Sequence, residues 1–254
     1  MAVHDFSAQR LYVTTQLQAD HQVTLDAGQS HYISNVLRMR PGDEILLFDG
    51  MNGEWRAVVT TVKKREVALQ LKDQVRAQQS GPDIDYLFAP LKRARLDYMV
   101  QKAVELGVRR LSPVFTHRTV ADRVNIERMK ANAVEAAEQC GVLHLPEVAT
   151  PRKLGEALGD WDIKRPLIFC DEAGEVCDPI SALRAIEKGP IGLIIGPEGG
   201  FDKDERQRLL AMPCTTAISL GPRIMRADTA AVAALSLVNA TVGDWCAQKP
   251  QVTP

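Results

Sequence analysis

Two short apolar runs late in the 254-residue sequence each break into a Gly-Pro dipeptide, and this repeated break does most to limit the fold. The first, Ile191-Gly192-Leu193-Ile194-Ile195, ends in Gly196-Pro197-Glu198-Gly199-Gly200-Phe201. A β-branched run of this length, stopped by Gly-Pro, reads as a buried strand feeding a tight loop. Asp202-Lys203-Asp204-Glu205 then has the form of a helix start, with Asp202 as N-cap and Glu205 as its capping-box partner. The second run, Ala217-Ile218-Ser219-Leu220, opens into Gly221-Pro222-Arg223-Ile224-Met225-Arg226-Ala227-Asp228. Residues 229–242 follow as a helix apolar on nearly every face, capped by Asp228 or Thr229.

Each break has two readings. Glycine reaches positive φ and lets a ligand approach the backbone, so such a loop can hold a small molecule by main-chain groups. The plainer reading is a sharp strand-to-helix turn. Two such loops, each after a buried strand, favour a site, because ligands of open α/β sheets sit beyond the carboxyl ends of strands. Neither loop has the G-x-G-x-x-G or G-x-x-x-x-G-K-[ST] spacing, which argues against a dinucleotide or a P-loop nucleotide. Arg226 precedes an apolar helix, and an arginine buried there needs a partner.

Upstream, residues 1–75 read as a small β-barrel, with strands at 11–13, 44–48, 55–62 and 66–71 and a short helix over 31–38. Residues 76–82 read as a polar linker. From 83 to 254 strands and helices alternate, which predicts a parallel α/β sheet: strands at 85–90, 111–115 and 166–170, helices at 96–104, 126–140 and 179–188.

No segment approaches the roughly 20 apolar residues of a membrane-spanning helix, and Met1-Ala2-Val3-His4-Asp5-Phe6 lacks the pattern of a secretory signal. The five cysteines form no C-x-x-C pair, which points to reduced thiols in a cytoplasmic protein and away from a metal site. Net charge is −1, yet residues 76–130 hold 11 basic and 6 acidic side chains. Such a local excess suits a polyanionic partner, or is simply a solvated helix surface.

The strings Gly196–Phe201 and Leu220-Gly221-Pro222-Arg223-Ile224-Met225-Arg226-Ala227-Asp228-Thr229-Ala230 resemble two motifs of the SPOUT methyltransferases. The resemblance is closest to the bacterial RsmE family, the 16S ribosomal RNA (uracil-N3)-methyltransferases. It extends to His31 through Arg38 with Gly42-Asp43 and Phe48-Asp49-Gly50, to Lys92-Arg93-Ala94-Arg95 running into 101–107, and to Glu135-Ala136-Ala137-Glu138-Gln139-Cys140. Where that family often carries a polar or basic residue after the last string, this chain has Gly141-Val142-Leu143.

The resemblance implies an N-terminal PUA-like barrel, a C-terminal α/β domain with a deep trefoil knot, and a homodimer built through the knot helices. It also implies S-adenosylmethionine held by Ile195, Gly196, Pro197, Glu198, Gly199 and Gly200 of one loop. The other loop would contribute Leu220, Gly221, Ile224, Met225, Arg226, Ala227, Thr229 and Ala230. Methylation at uracil N3 needs an imide proton removed and carbonyl charge stabilised. Arg226 is the candidate for the second role, and Glu198, Asp228 or water for the first. Arg10, Arg38, Arg40, Lys92, Arg93 and Arg95 are the candidates for gripping 16S ribosomal RNA in the small subunit. A ribose 2′-O or tRNA methyltransferase of the SPOUT class, or a catalytically inactive PUA-type RNA-binding protein, stands as the alternative.

Overall fold

The computed structural model describes residues 8–63, 66–174 and 178–245. Met1–Phe6, Cys177 and Cys246 lie outside them. The chain divides into two units, Met1–Ser80 with Ala137–Leu145, and Gly81–Ala136 with Pro146–Pro254.

The first unit carries β1 (Arg10–Tyr12), β2 (Gln22–Thr24), α1 (Ala27–His31), β3 (Glu44–Phe48), β4 (Glu54–Lys63) and β5 (Glu66–Arg76). Their order in the sheet is β1-β3-β4-β5-β2. β1 runs parallel to β3, and every other pairing is antiparallel. Side chains two apart share a sheet face, so Val67, Leu69 and Leu71 of β5 enter one core with Leu11, Ile45 and Val59. The helix expected over 31–38 is α1 continued by a π-helical turn, Tyr32–Val36. β5 continues through Arg76, so that residue is strand rather than linker.

Arg76 is also tied down by charge. The Glu54 carboxylate accepts from Arg10 Nε at 2.8 Å and from Arg76 Nε at 2.7 Å, and Arg76 Nη2 reaches the Gly141 carbonyl at 2.9 Å. The Arg10 and Glu54 side chains are only 5% and 3% exposed. Burial is tolerated because each charge is paired and hydrogen-bonded.

The second unit opens with β6 (Ile84–Phe88), α2 (Arg93–Glu105), β7 (Arg110–Phe115), α3 (Ile126–Cys140), β8 (Glu147–Val148), β9 (Arg152–Lys153) and α4 (Leu154–Gly159). The end of α3, from Ala137, groups with the first unit. β10 (Leu167–Cys170), α5 (Pro179–Arg184), β11 (Ile191–Ile195), α6 (Lys203–Ala211), β12 (Thr215–Ile218) and α7 (Ala227–Thr241) follow. The sheet has the order β12-β10-β11-β6-β7-β8, with β9 against β7, and all its pairings are parallel. β6, β10 and β11 are buried at every position, as strands covered on both faces must be.

The capping box at Asp202 and Glu205 is present as read: each side chain accepts the other's backbone N–H. α7 differs from its expectation. It begins at Ala227 with Arg226 in the cap position and no side-chain cap bond. Asp228 instead lies in the first turn, where its carboxylate accepts the Thr229 N–H at 2.9 Å and complements the positive helix end. Helix α5 stops at Arg184, short of 188.

Candidate functional site

β11, β10 and β12 are neighbours in a parallel sheet, so their carboxyl ends open along one edge. The loops that follow β11 and β12 leave from that same edge on either side of β10, although they are far apart in sequence. Beneath them Asp171, only 4% exposed, grips Arg206 of α6 through both oxygens (Nε–Oδ1 2.9 Å, Nη2–Oδ2 2.8 Å). Its own N–H donates to the Ile218 carbonyl at 2.9 Å. The ends of β10 and β12 and the flank of α6 are thereby fixed before any ligand arrives.

The first loop is shaped by its glycines. A Cβ on Gly196 would come within 2.6 Å of the Phe201 ring, and Phe201 packs edge-on against Phe169 at 5.3 Å. Gly200 has φ +70°, and its N–H closes the turn onto the Pro197 carbonyl at 2.9 Å. Side chains from other elements hold the rim. Arg118 Nη1 donates to the Gly199 carbonyl at 2.8 Å, Arg95 of α2 forms an ion pair with Glu198, and the Glu205 carboxylate accepts the His117 N–H at 2.8 Å.

The second loop is more open. Gly221 has φ +103°, and a Cβ there would meet nothing within 4 Å. Ile224 is 96% exposed, and the backbone N–H groups of Ile224 and Met225 have no partner among the described residues. Arg226 is exposed and makes no ion pair among them. The premise of a buried arginine demanding a partner is therefore corrected: its guanidinium is available to something outside the chain. Ala227 and Ala230 are buried in α7's first turns, and Thr229 is exposed beside them.

Cys170, at the end of β10, is no nucleophile. Burial, aided by the nearby Glu172 charge, pushes its thiol up to about 12, and a thiol protonated at neutral pH does not attack.

The candidate RNA contacts separate into two kinds. Arg10 is withdrawn from that set, because its buried guanidinium is committed to Glu54. Arg38 and Arg40 are exposed in the first unit, Arg38 at φ +55°. In the second unit Lys92, Arg93 and Arg95 line a groove of about 920 Å³ that ends on Pro197 and Glu198. Arg123 lines it too, and neither Arg123 nor Arg118 was singled out from sequence. Their only signal was the basic surplus of residues 76–130, which does not say which cations face a common surface.

A family model described as an RNA methyltransferase domain matches residues 78–239, and an RNA methyltransferase PUA domain matches 25–72. The chain belongs to this RNA methyltransferase family. Relatives agree over nearly the whole methyltransferase. Ribosomal RNA small subunit methyltransferase E of Rickettsia conorii is 29% identical over 243 residues, covering 93% of this chain and 97% of the relative. The protein of that name from Synechocystis is 30% identical, covering 92% and 78%. A solved structure of the Neisseria gonorrhoeae enzyme of that name, bound to S-adenosyl methionine, matches with TM-score 0.84 and 28% identity over 94% of this chain and 99% of that one. A Legionella pneumophila putative methyltransferase in complex with the same cofactor matches with TM-score 0.81 and 28% identity, over 93% and 99%. These matches bear out the resemblance to the SPOUT and RsmE methyltransferases, and with it the α/β class with a PUA-like N-terminal region.

Proposed function

We propose that the chain methylates N3 of a uridine in the decoding region of 16S ribosomal RNA, using S-adenosylmethionine, on the assembled small subunit in the cytoplasm. The observation that carries this reading is that two Gly-Pro loops leave the same carboxyl edge of a parallel sheet, from strands flanking β10, in a chain whose structural neighbours hold that donor.

The residues fit the donor chemically. An adenine needs backbone donors and acceptors close to its edge, and the free N–H groups of Ile224 and Met225 offer donors. The vacant side of Gly221 leaves room for a ligand to lie against the backbone. Ile195, Gly196, Pro197, Glu198, Gly199 and Gly200 form the facing rim, with Leu220, Gly221, Arg226, Ala227, Thr229 and Ala230 completing the second. Bound S-adenosylmethionine supplies an activated methyl group, so the chain's task is positioning, worth on the order of 7–11 kcal/mol in well-oriented cases.

N3 must lose its imide proton as it gains the methyl, and negative charge grows on the flanking carbonyls. Arg226, exposed and unpaired, stabilises that charge. Glu198 or Asp228 accepts the proton. N3 lies on the Watson–Crick edge, so the uridine is bound unpaired or flipped. Arg38 and Arg40 of the PUA-like unit, with Lys92, Arg93 and Arg95, hold phosphates.

Residues up to Arg76 serve as the RNA-binding domain, 77–82 as linker and 83–254 as the methyltransferase domain. Two features support a knotted homodimer. Strand β11 comes late in the chain yet sits between β6 and β10. Helix α7 buries Ala231, Ala234, Leu235 and Val238, yet leaves Val232, Ala233 and Leu237 only partly covered, a face that a second copy would cover.

The deciding experiment maps methylated nucleosides by mass in 16S RNA from a deletion strain. One N3-methyluridine should disappear and return on adding the protein to isolated small subunits. An unchanged map, or loss of a 2′-O-methyl group instead, refutes the assignment.

A further inference from the structure

Glu198 is the one carboxylate of the Gly-Pro loops that reaches into the cationic groove, and there it occupies Arg95. The groove collects four cations, Lys92, Arg93, Arg95 and Arg123, against two acids, Asp122 and Glu198. It also receives the start of α2, a 13-residue helix whose cap, Lys92, supplies no side-chain acceptor. A helix start of this kind adds favourable potential for anions to that of the side chains. A groove so built takes phosphodiesters, and one of its four cations is held by the chain's own carboxylate.

We infer that Glu198 stands in for a substrate phosphate: in the free protein it latches the first loop to Arg95, and an incoming RNA phosphate displaces it. This rests on the RNA-methyltransferase reading above and adds to it a gating step at the same site. The pair is suited to exchange. Arg95 and Glu198 are 41% and 47% exposed, and exposed ion pairs are weak enough to be given up. A phosphodiester also matches the guanidinium fork in two-point geometry. Displacement frees the loop's outer carboxylate while Arg118 keeps its hold on the Gly199 carbonyl. The loop therefore changes its electrostatics without unfolding, and RNA arrival is coupled to the state of the donor pocket's rim.

The test is a double-mutant cycle on binding of a short single-stranded oligouridylate, beside calorimetric titration of S-adenosylmethionine. E198Q should tighten oligouridylate binding about threefold, the scale of an exposed pair. R95Q should weaken it by a similar factor and lower the salt slope by about 0.7, one phosphate's share for a single strand. The latch requires the E198Q gain to vanish in the R95Q background. A gain of equal size in both backgrounds is ordinary charge removal and overturns the proposal, as does no gain in the wild-type background. Failure of the wild-type protein to bind the donor sinks the methyltransferase reading. Intact donor binding with uncoupled variants sinks the latch alone.

Discussion

Gly221 and Gly42 make a matched pair for testing the donor cradle. Both have backbone torsions that disfavour a side chain, φ +103° and +99°, and a Cβ at either would meet nothing within 4 Å. An alanine at either site therefore pays backbone strain alone, of about 1–3 kcal/mol, with no internal clash to separate them. Gly42 lies in the turn before β3 of the first unit, and Gly221 lies in the second Gly-Pro loop. If the open side of Gly221 is where the donor lies, its new methyl enters space the ligand needs. G221A should then lose at least about tenfold in S-adenosylmethionine affinity, or about 1.4 kcal/mol, while G42A loses stability alone. Calorimetric melting gives the first quantity for both variants, and isothermal titration with S-adenosylmethionine gives the second. Donor affinity in G221A equal to that in G42A would refute the placement of the cradle, whatever the melting temperatures.

Four further outcomes follow from the geometry. Arg226→Ala should lower turnover by about 10²–10³, the scale of losing one charge-stabilising donor, with donor affinity retained; unchanged turnover on small subunits removes Arg226 from the mechanism. Glu54→Ala leaves Arg10 and Arg76 buried without their carboxylate and should destabilise the first unit by about 3–5 kcal/mol; denaturant titration checks it. The hydrogen-bonded Arg128 guanidinium holds Asp97 below its usual carboxylate value. That stabilisation is present above pH 3.8 and is lost as pH falls through the lower folded value, so the deficit of Asp97→Asn in acid titrations should be full at neutral pH and shrink below 3.8. Among the described cysteines, iodoacetamide at pH 7.5 should modify exposed Cys140 and spare buried Cys170, as read by peptide mass.

Much of the framework around the candidate site was legible because its signals are local. Gly-Pro after an apolar run stops a strand whatever surrounds it, and β11 spans Ile191–Ile195 as read. The capping box at Asp202 needs only residues three apart. Elements too short to show a period escaped: β2 has one buried residue, Val23, and β8 and β9 have two residues each. Pairings across long separations escaped too. Nothing near Arg10 in sequence announces Glu54, and a phosphate-gripping arginine looks the same as a structural one until both partners are placed. Arg226 failed in the opposite sense, since an apolar helix after it promised burial and the loop turns it outward. The basic groove was legible as an excess of charge, and only the fold tells which of those charges share a surface.

The position of β11 bears on how the protein is made. This central strand bonds Ile84 of β6 on one side and Leu167 of β10 on the other, yet both neighbours leave the ribosome before it does. During synthesis the nascent sheet must therefore wait with a gap at its middle, its flanking strands unable to settle until the missing one arrives. Pairings this distant are slow to form, and a chain stalled short of Ile191 would expose three unsatisfied strand edges, one on β6 and both on β10, the surfaces that aggregation exploits.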